Sequence, residues 1–352
     1  MINTKNIKIT PQMLSAIGEL DEFKGAWTGF ARLRPEQLKA LKKVSTIESI
    51  GSSNRIEGNR LSDDKIEALL SSVNGTSFKS RDEEEVVGYA KLMDTIFENY
   101  ENIILSENYI KQLHQILLQY VSKDEKHRGE YKKISNSVVA FDSSGKKIGI
   151  VFETASPFDT PRLMEELVGC TRKNLNDKFF HPLIVIGIFI VHFLSIHPFQ
   201  DGNGRLSRAL SSMLLLKKGY TYIPYSSMES IIEASKEGYY RALRQSQKNI
   251  WTDSVDYEPW LSFFLSTLQK QKKHLEEKIK KIITTKPDYT KLSRLAVQIL
   301  GLFDRKPQWT VLEIAKELNS NFETLRASVK SLAKGGYIVK HGTTRGAWYE
   351  RN

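Results

Sequence analysis

Apolar residues recur along most of this 352-residue chain at the spacing of α-helices. They fall at every third or fourth position between Asp82 and Asn99, between Ser106 and Val121, and between Arg205 and Lys217. Such spacing puts one apolar face along each segment and predicts amphipathic helices. Residues 10–75 and 227–283 show the same pattern, so we expect a mostly α-helical fold.

One segment, Pro182 to Ile196, is apolar on all sides and predicts a helix buried in the core. Pro198 disfavours helical geometry at His197, so this helix should end there. The run is too short to cross a bilayer, and we therefore expect no membrane segment. His192, which lies within it, is interpreted as a core histidine whose ring is hydrogen-bonded.

Two short strands interrupt the helical pattern. They flank a turn at Asp142–Gly145, and residues 137–152 together predict a β-hairpin. Near the C-terminus, three short helices precede two strands around a glycine-rich turn between Gly335 and Tyr349. Three helices followed by such a wing predict a winged helix-turn-helix domain in residues 289–352.

The amino-acid composition indicates a basic protein and the cellular compartment in which it functions. The formal net charge is +11, and the segment from Tyr289 to Asn352 holds 11 basic and 5 acidic residues, so over half of the excess lies in the predicted C-terminal domain. Basic charge clustered in this way suggests a nucleic-acid partner. The single cysteine, Cys170, excludes an intramolecular disulfide and fits a reducing cytoplasm.

Residues that could bind a ligand or take part in catalysis are concentrated between His197 and Arg208, in the sequence His-Pro-Phe-Gln-Asp-Gly-Asn-Gly-Arg-Leu-Ser-Arg. The Gly-Asn-Gly turn enters a helix, where unpaired backbone N–H groups and the helix dipole favour an anion. Arg205 and Arg208 are neighbours on the first helical turn and can reach different phosphates. A plain glycine turn with surface arginines is the simpler interpretation, but the complete set favours a phosphate site.

Two residues of this stretch can supply the chemistry of a reaction. Asp201, just before the turn, is placed to hold Mg²⁺ between phosphate oxygens. His197 is the group in this stretch that can act as a general base near neutral pH.

The stretch matches, position for position, the signature His-Pro-Phe-x-Asp/Glu-Gly-Asn-Gly-Arg-x-x-Arg, and through it the chain resembles the Fic (Fido) family. The resemblance covers most of residues 10–250, although Lys132 stands where an arginine is commoner. It implies a Fic-type helical core with a hairpin flap in residues 101–284, preceded by a helical Fic-associated region in residues 1–100. Residues 10–75 look like the N-terminal extension of the larger bacterial members, and the single cysteine fits a reducing cytoplasm, so we expect a bacterial, cytoplasmic protein.

The resemblance implies a protein adenylyltransferase, in which a Ser, Thr or Tyr hydroxyl of a target protein attacks the α-phosphate of ATP and AMP stays on the protein (AMPylation). It assigns His197 as the base, Asp201 as the ligand of Mg²⁺ or Mn²⁺, and Arg208 as the partner of the γ-phosphate. The other nucleotide contacts that it implies are Gly202, Asn203, Gly204, Arg205, Tyr239, Tyr240 and Gln247. The two tyrosines could equally be packing residues of a helix.

A second motif predicts regulation. Ser53-Asn-Arg-Ile-Glu57-Gly58 matches the family's inhibitory motif, Ser/Thr-x-x-x-Glu-Gly/Asn, on a helix expected at about residues 46–58. By resemblance, Glu57 enters the ATP site and pairs with Arg208, where it competes with the γ-phosphate for one bidentate donor. The alternative is a helix end with Glu57 in solvent. An autoinhibited transferase is the leading interpretation.

Two other functions stay open. Glu57 could position water to remove AMP from a modified target (de-AMPylation). Alternatively, the core could sense a nucleotide and regulate a DNA-binding domain, although the intact His197 argues against a mere sensor.

The predicted partners follow from the same elements. We expect a target protein to dock by pairing a segment with an edge of the hairpin at residues 137–152. Arg326, Lys330 and Lys334 recur on one face of the third C-terminal helix and suit DNA phosphates, but such domains also bind proteins. A homodimer and auto-AMPylation also stay open.

Overall fold

The computed structural model describes residues 7–30, 35–72, 78–141, 147–177, 179–284, 292–342 and 346–351. These residues are mostly helical, as the apolar pattern predicts. None of their helices combines the length and the apolar character that crossing a bilayer requires. The chain divides into two compact units, Met1–Glu276 and Glu277–Asn352.

The first unit is built of helices with one hairpin between the fifth and the sixth. In chain order its elements are α1 (Pro11–Phe30), α2 (Pro35–Ile56), α3 (Asp63–Ser72), α4 (Arg81–Asn99), α5 (Glu107–Leu118), β1 (Val138–Phe141), β2 (Lys147–Phe152), α6 (Thr160–Asp177), α7 (Pro182–Ile196), α8 (Asn203–Lys217), α9 (Met228–Ala234), α10 (Lys236–Gln247) and α11 (Glu258–Thr284), of which the last runs past Glu276.

Helix α7 forms the centre of the first unit. Every residue from Leu183 to Ile196 is buried, and α6 and α8 pack along this helix. A Cβ at Gly187 would crowd the Leu261 side chain, so glycine allows α11 to come close. The predicted core histidine, His192, is buried and its Nε2 lies 2.8 Å from the Tyr257 hydroxyl. This buried helix gives the loop that follows it a rigid support.

Two helix boundaries differ from the sequence prediction. Residues 35–41 and about 46–58 were expected to form separate helices, but they form the continuous helix α2, which ends at Ile56. Between these two segments, the Ser45 hydroxyl donates to the backbone oxygen of Tyr225 at 2.8 Å, a tertiary contact that attaches this part of the helix to the rest of the unit. Conversely, residues 227–246 were expected as one helix and instead form α9 and α10, which meet at Ser235.

The predicted hairpin is present. Strands β1 and β2 are antiparallel, with Val138 opposite Phe152 and two register shifts along the pair. The turn between them, residues 142–146, lies outside the described residues. The hairpin leaves the helical body between α5 and α6, which puts its ends next to the end of α7.

The second unit, taken by itself, has helices α12 (Arg294–Leu302), α13 (Val311–Glu317) and α14 (Phe322–Lys334) and strands β3 (Gln308–Thr310), β4 (Ile338–His341) and β5 (Trp348–Arg351). The strands form an antiparallel sheet in the order β3-β5-β4. The sequence predicted β4 and β5 but missed β3, because three residues carry no readable alternation. This composition of helices and strands is compatible with the predicted winged helix.

Candidate active site

The loop between α7 and α8 begins at a strained residue. His197 caps α7 in the left-handed conformation, with φ 52° and ψ 59°, a region that residues other than glycine seldom adopt. Its Nδ1 lies 3.3 Å from the backbone oxygen of Leu194, so we assign the ring proton to Nδ1 and leave Nε2 free to accept a proton. Burial lowers the pKa of His197, which keeps the imidazole neutral.

The glycine-rich turn is held by an asparagine. Gly202 caps α8 in the left-handed conformation, with φ 78°, which glycine adopts without strain. The buried Asn203 side chain accepts from the Phe199 N–H at 2.9 Å and donates to the Phe199 oxygen at 2.7 Å. Because the Asn203 amide is used within the loop, this residue can offer an anion its backbone N–H at the start of α8.

The carboxylate of Asp201 pairs with two arginines. Its Oδ2 accepts from Arg81 Nη2 at 2.8 Å and lies 3.3 Å from Arg205 Nη2. Arg205 is buried and also pairs with Glu85 Oε2 at 3.2 Å. Arg81 and Glu85 come from α4, a helix in which sequence reasoning found no site residue. The Asp201 side chain remains 41% exposed.

Ser53 of helix α2 and Glu57, which directly follows this helix, accept hydrogen bonds from Arg208. The Arg208 guanidinium is 2% exposed. Its Nε donates to Ser53 Oγ at 2.9 Å, and its Nη2 donates to the Ser53 backbone oxygen and to Glu57 Oε1, each at 2.8 Å. The structure therefore brings together the two sequence motifs, which are separated by 151 residues between Glu57 and Arg208.

The carboxylate of Glu57 also lies against the first turn of α8. A Cβ built on Gly204 would collide with Glu57 Oε1 and would come within 3.4 Å of Arg208 Nη1. The space that glycine leaves open at this turn is thus filled by a negatively charged group. A carboxylate between a helix N-terminus and a guanidinium stands where these donors would hold an anionic ligand.

A cleft of about 720 Å³ runs past this loop. It is lined by residues of the loop, by residues at the base of the hairpin and by residues of α10. The sequence-predicted site residues on its wall are Glu57, His197, Asp201, Gly202, Asn203, Gly204, Tyr239, Tyr240 and Gln247. The predicted residues Ser53, Arg205 and Arg208 are buried and do not line the cleft.

Sequence reasoning missed several residues around the cleft. Lys236 and Arg244 of α10 lie on its wall and add positive charge. Their spacing in the sequence is typical of any exposed helix, so no signal distinguished them.

The predicted residue Tyr239 is buried, and burial raises its pKa to about 12, so it stays a neutral phenol.

His114 was given no role from the sequence, yet it supports the loop. Its ring is fully buried and stacks on Phe199 with 3.8 Å between ring centroids. Its Nδ1 accepts from the Gly129 N–H at 2.9 Å, so its Nε2 carries the proton and donates to the Asp201 backbone oxygen at 3.0 Å. Burial lowers the pKa of His114 to about 4, and the neutral ring can therefore make both bonds at once.

Comparison with known proteins places this cleft in a family context. Residues 104–215 match the sequence model of the Fic/DOC family. The protein adenylyltransferase Fic of Aedes aegypti is 30% identical over 189 residues, which cover 52% of this chain and 34% of that protein. The chain thus matches about a third of the length of this curated relative.

Two solved structures share the fold. A Fic family protein from Desulfovibrio desulfuricans G20 has a TM-score of 0.61 and 21% identity, and the match covers 99% of this chain and 98% of that one. A Fic domain containing signalling protein from Bacteroides thetaiotaomicron has a TM-score of 0.61 and 25% identity, with 75% and 97% covered. These matches show the mostly helical Fic fold.

Proposed function

We propose, from the Fic/DOC-family domain that this chain contains at residues 104–215, that the protein transfers AMP from ATP to a hydroxyl group of a protein and that Glu57 restrains this transfer. The observation that carries the proposal is the content of one cleft. A neutral imidazole, a carboxylate and the N-terminus of α8 share its wall with residues of α10. This set can bind a nucleotide's phosphates and remove one proton.

We propose the following reaction for these groups. The hydroxyl oxygen of the target forms a bond to the α-phosphorus of ATP, the bond from that phosphorus to the bridging oxygen breaks, and diphosphate leaves. His197 Nε2 takes the proton of the hydroxyl. The backbone N–H groups at Gly202–Gly204 and the Arg205 guanidinium stabilise the charge on the phosphates. Tyr239, Tyr240 and Gln247 supply the wall against which the nucleoside lies.

Asp201 is the residue that would hold Mg²⁺ or Mn²⁺. The described residues contain no cluster of three or more His, Cys, Asp or Glu side chains that could form a complete metal cage. A single accessible carboxylate beside an anion site fits Mg²⁺, which typically takes one or two carboxylates and completes its shell with phosphates and water. When bound there, the ion would neutralise phosphate charge. Arg81 and Arg205 now satisfy the same carboxylate.

Glu57 supplies the restraint. Its carboxylate holds the Arg208 donor that the γ-phosphate needs and fills the space at Gly204. ATP that enters beside it lies displaced, and a displaced α-phosphate reacts slowly.

The experiment uses the full chain with Glu57→Gly, supplied with ATP labelled at either the α- or the γ-phosphorus. We expect label in protein from the α-position alone, with release of diphosphate. Adding His197→Ala should lower the incorporation rate by about a hundredfold or more, the contribution of a general base. Label from the γ-position, or equal incorporation without the imidazole, would contradict AMP transfer.

Removal of AMP is the second candidate, because the Glu57 carboxylate faces the same cleft as His197 and could orient water there. An AMP-modified protein given to the wild-type chain distinguishes the two functions. De-AMPylation requires Glu57, whereas AMPylation is restrained by it. Loss of AMP with the wild-type chain and retention with Glu57→Gly would favour removal.

We further propose that the C-terminal unit is a winged helix that contacts DNA. Arg326, Lys330 and Lys334 are exposed on the outer face of α14, whose inner face is buried. Exposed basic groups recurring every four residues on one helix suit the phosphates of a duplex.

A further inference from the structure

The four backbone oxygens from Ile196 to Phe199 all accept hydrogen bonds from two residues. Lys132 Nζ donates to the Ile196 oxygen at 2.9 Å, and the Lys132 backbone N–H donates to the Pro198 oxygen at 2.8 Å. Asn136 Nδ2 donates to the Phe199 oxygen at 2.6 Å and lies 3.4 Å from the His197 oxygen. The backbone on both sides of His197 is therefore held by hydrogen bonds from Lys132 and Asn136.

Lys132 sits at the centre of this arrangement and is unusually buried for a lysine. Its residue is 3% exposed, and its ammonium also donates to Asn136 Oδ1 at 2.8 Å and to Thr154 Oγ1 at 2.9 Å. The three acceptors of the ammonium are neutral oxygens, which satisfy its three N–H donors. Burial lowers the pKa of Lys132 to about 8. A buried charge without a carboxylate is unfavourable for stability, which points to a role beyond packing.

The backbone of His197 needs support of this kind. Its left-handed conformation is strained for a residue with a side chain, and such strain persists where surrounding bonds fix it. That conformation turns the imidazole from the end of α7 towards the cleft. Relaxation of His197 would move the base away from the substrate.

The same bonds reach the hairpin. Asn136 precedes β1 by two residues, and Thr154 follows β2 by two residues. The Thr154 hydroxyl accepts from Lys132 and donates to the Asn136 backbone oxygen at 3.0 Å. Both ends of the hairpin therefore meet at the ammonium that holds the last turn of α7.

We propose that Lys132, Asn136 and Thr154 form a positioning clamp, which holds His197 in its left-handed conformation and ties the hairpin to it. This inference rests on the proposed role of His197 as the base. The clamp acts through His197, and Lys132 and Thr154 lie outside the wall of the cleft, whereas Asn136 is part of that wall. Loss of the clamp should affect the rate of transfer and leave nucleotide binding intact.

The test uses full-length Glu57→Gly as the parent. Lys132→Met removes the ammonium at similar length, Lys132→Arg restores a cation, and Lys133→Met is the control because Lys133 is exposed. We expect Lys132→Met to lower kcat for AMP incorporation by about tenfold or more, as misplaced reacting groups do, with KM for ATP within about twofold of the parent. Lys132→Arg should recover part of kcat, and Lys133→Met should match the parent.

A second readout does not depend on transfer. Hydrogen exchange reports the amides of His197 and Phe199, which donate to the Phe193 oxygen and to Asn203 Oδ1. Lys132→Met should speed their exchange, whereas Lys133→Met should not.

Parent-like kcat together with parent-like exchange in Lys132→Met would overturn the clamp. If the parent itself transfers no AMP, the proposed function fails, and exchange alone decides on the clamp. If Lys132→Met does not fold, Thr154→Val decides, because it keeps the side-chain volume and removes the hydroxyl. A Thr154→Val chain with parent-like kcat and exchange would then overturn the proposal.

Discussion

Arg208 is a buried cation, and its guanidinium donates to Ser53 of α2 and to Glu57, which directly follows this helix. A buried guanidinium is stable when its N–H groups find hydrogen-bond acceptors, and Ser53 and Glu57 accept three hydrogen bonds from Arg208. Nη1 has no hydrogen-bond partner among the described residues. A γ-phosphate presents the same type of oxygen acceptors as Glu57. The exchange of one anion for the other is the physical basis of the proposed restraint.

Gly204 tests whether an anion lies at this turn. In the Glu57→Gly background, Gly204→Ala places a methyl group where the Glu57 carboxylate now lies. We expect AMP incorporation to fall by about a hundredfold, because the phosphates can no longer approach the turn. The backbone there is helical, so the free energy of unfolding should change by less than about 1 kcal/mol. The matched control is Gly169→Ala in α6, where a Cβ meets nothing within 4 Å. Equal rates in the two alanine variants would show that no phosphate approaches Gly204.

At the scale of elements, α2 is attached to α9 and α3 through Arg55. Its guanidinium binds both oxygens of Glu233, at 2.7 and 3.0 Å, and Asp63 Oδ1 at 2.7 Å. Arg55 lies two positions before Glu57 on the same segment. We therefore expect the packing of α2 on α9 to determine how firmly the Glu57 carboxylate is held in the cleft.

Arg55→Met should weaken the attachment of α2 to α9 and α3, because it removes the ion pairs with Glu233 and Asp63. We expect the wild-type background to gain AMP incorporation by severalfold, but less than with Glu57→Gly, since Glu57 itself remains. The free energy of unfolding should fall by about 1–3 kcal/mol, as for lost hydrogen bonds to charged groups. Initial rates and chemical denaturation measure the two effects. Lys43→Met, which removes an exposed ion pair of the same helix with Glu67, is the control. An unchanged rate of AMP incorporation in Arg55→Met would show that the packing of α2 on α9 does not contribute to the inhibition by Glu57.

Prediction from the sequence succeeded where the signal was local. The apolar period gave the helices, Pro198 gave the end of α7, and the Gly-Asn-Gly turn gave the start of α8. It failed where distant contacts decide the outcome. Residues 35–41 and about 46–58 were expected to form separate helices but form the single helix α2, and the unpredicted strand β3 pairs with the distant strand β5.

The same limit applies to the candidate site. Adjacent residues revealed the loop, and the family resemblance pointed to the contact between Glu57 and Arg208. The supports of the loop come from other elements, namely Arg81 and Glu85 on α4, His114 on α5 and Lys132 before the hairpin. Their residue types are common and their spacing is uninformative, so only the folded chain shows them together.

At the scale of the whole molecule, the basic face of α14 predicts binding to a DNA duplex by the full chain. The affinity should fall with salt, because bound phosphates release counterions. Replacing Arg326 and Lys330 by Gln should lower the slope of log affinity against log salt by about 2, one for each contact. Lys316→Gln on α13 is the control. A gel shift or anisotropy titration over a range of salt concentrations measures the slope. If no DNA binding is detected at low salt, the proposed DNA contact is wrong, and a protein partner becomes the interpretation of this face.

The proposed restraint of AMP transfer depends on Glu57, which lies in the cleft beside Arg208. The most direct measurement is the initial rate of AMP incorporation into protein at saturating ATP, compared between the wild-type chain and Glu57→Gly. We expect a rate at least about tenfold higher in Glu57→Gly, since the γ-phosphate then reaches Arg208 and the α-phosphate is correctly placed. Equal rates in the two chains, with His197→Ala inactive, would contradict the restraint while leaving the transfer reaction intact.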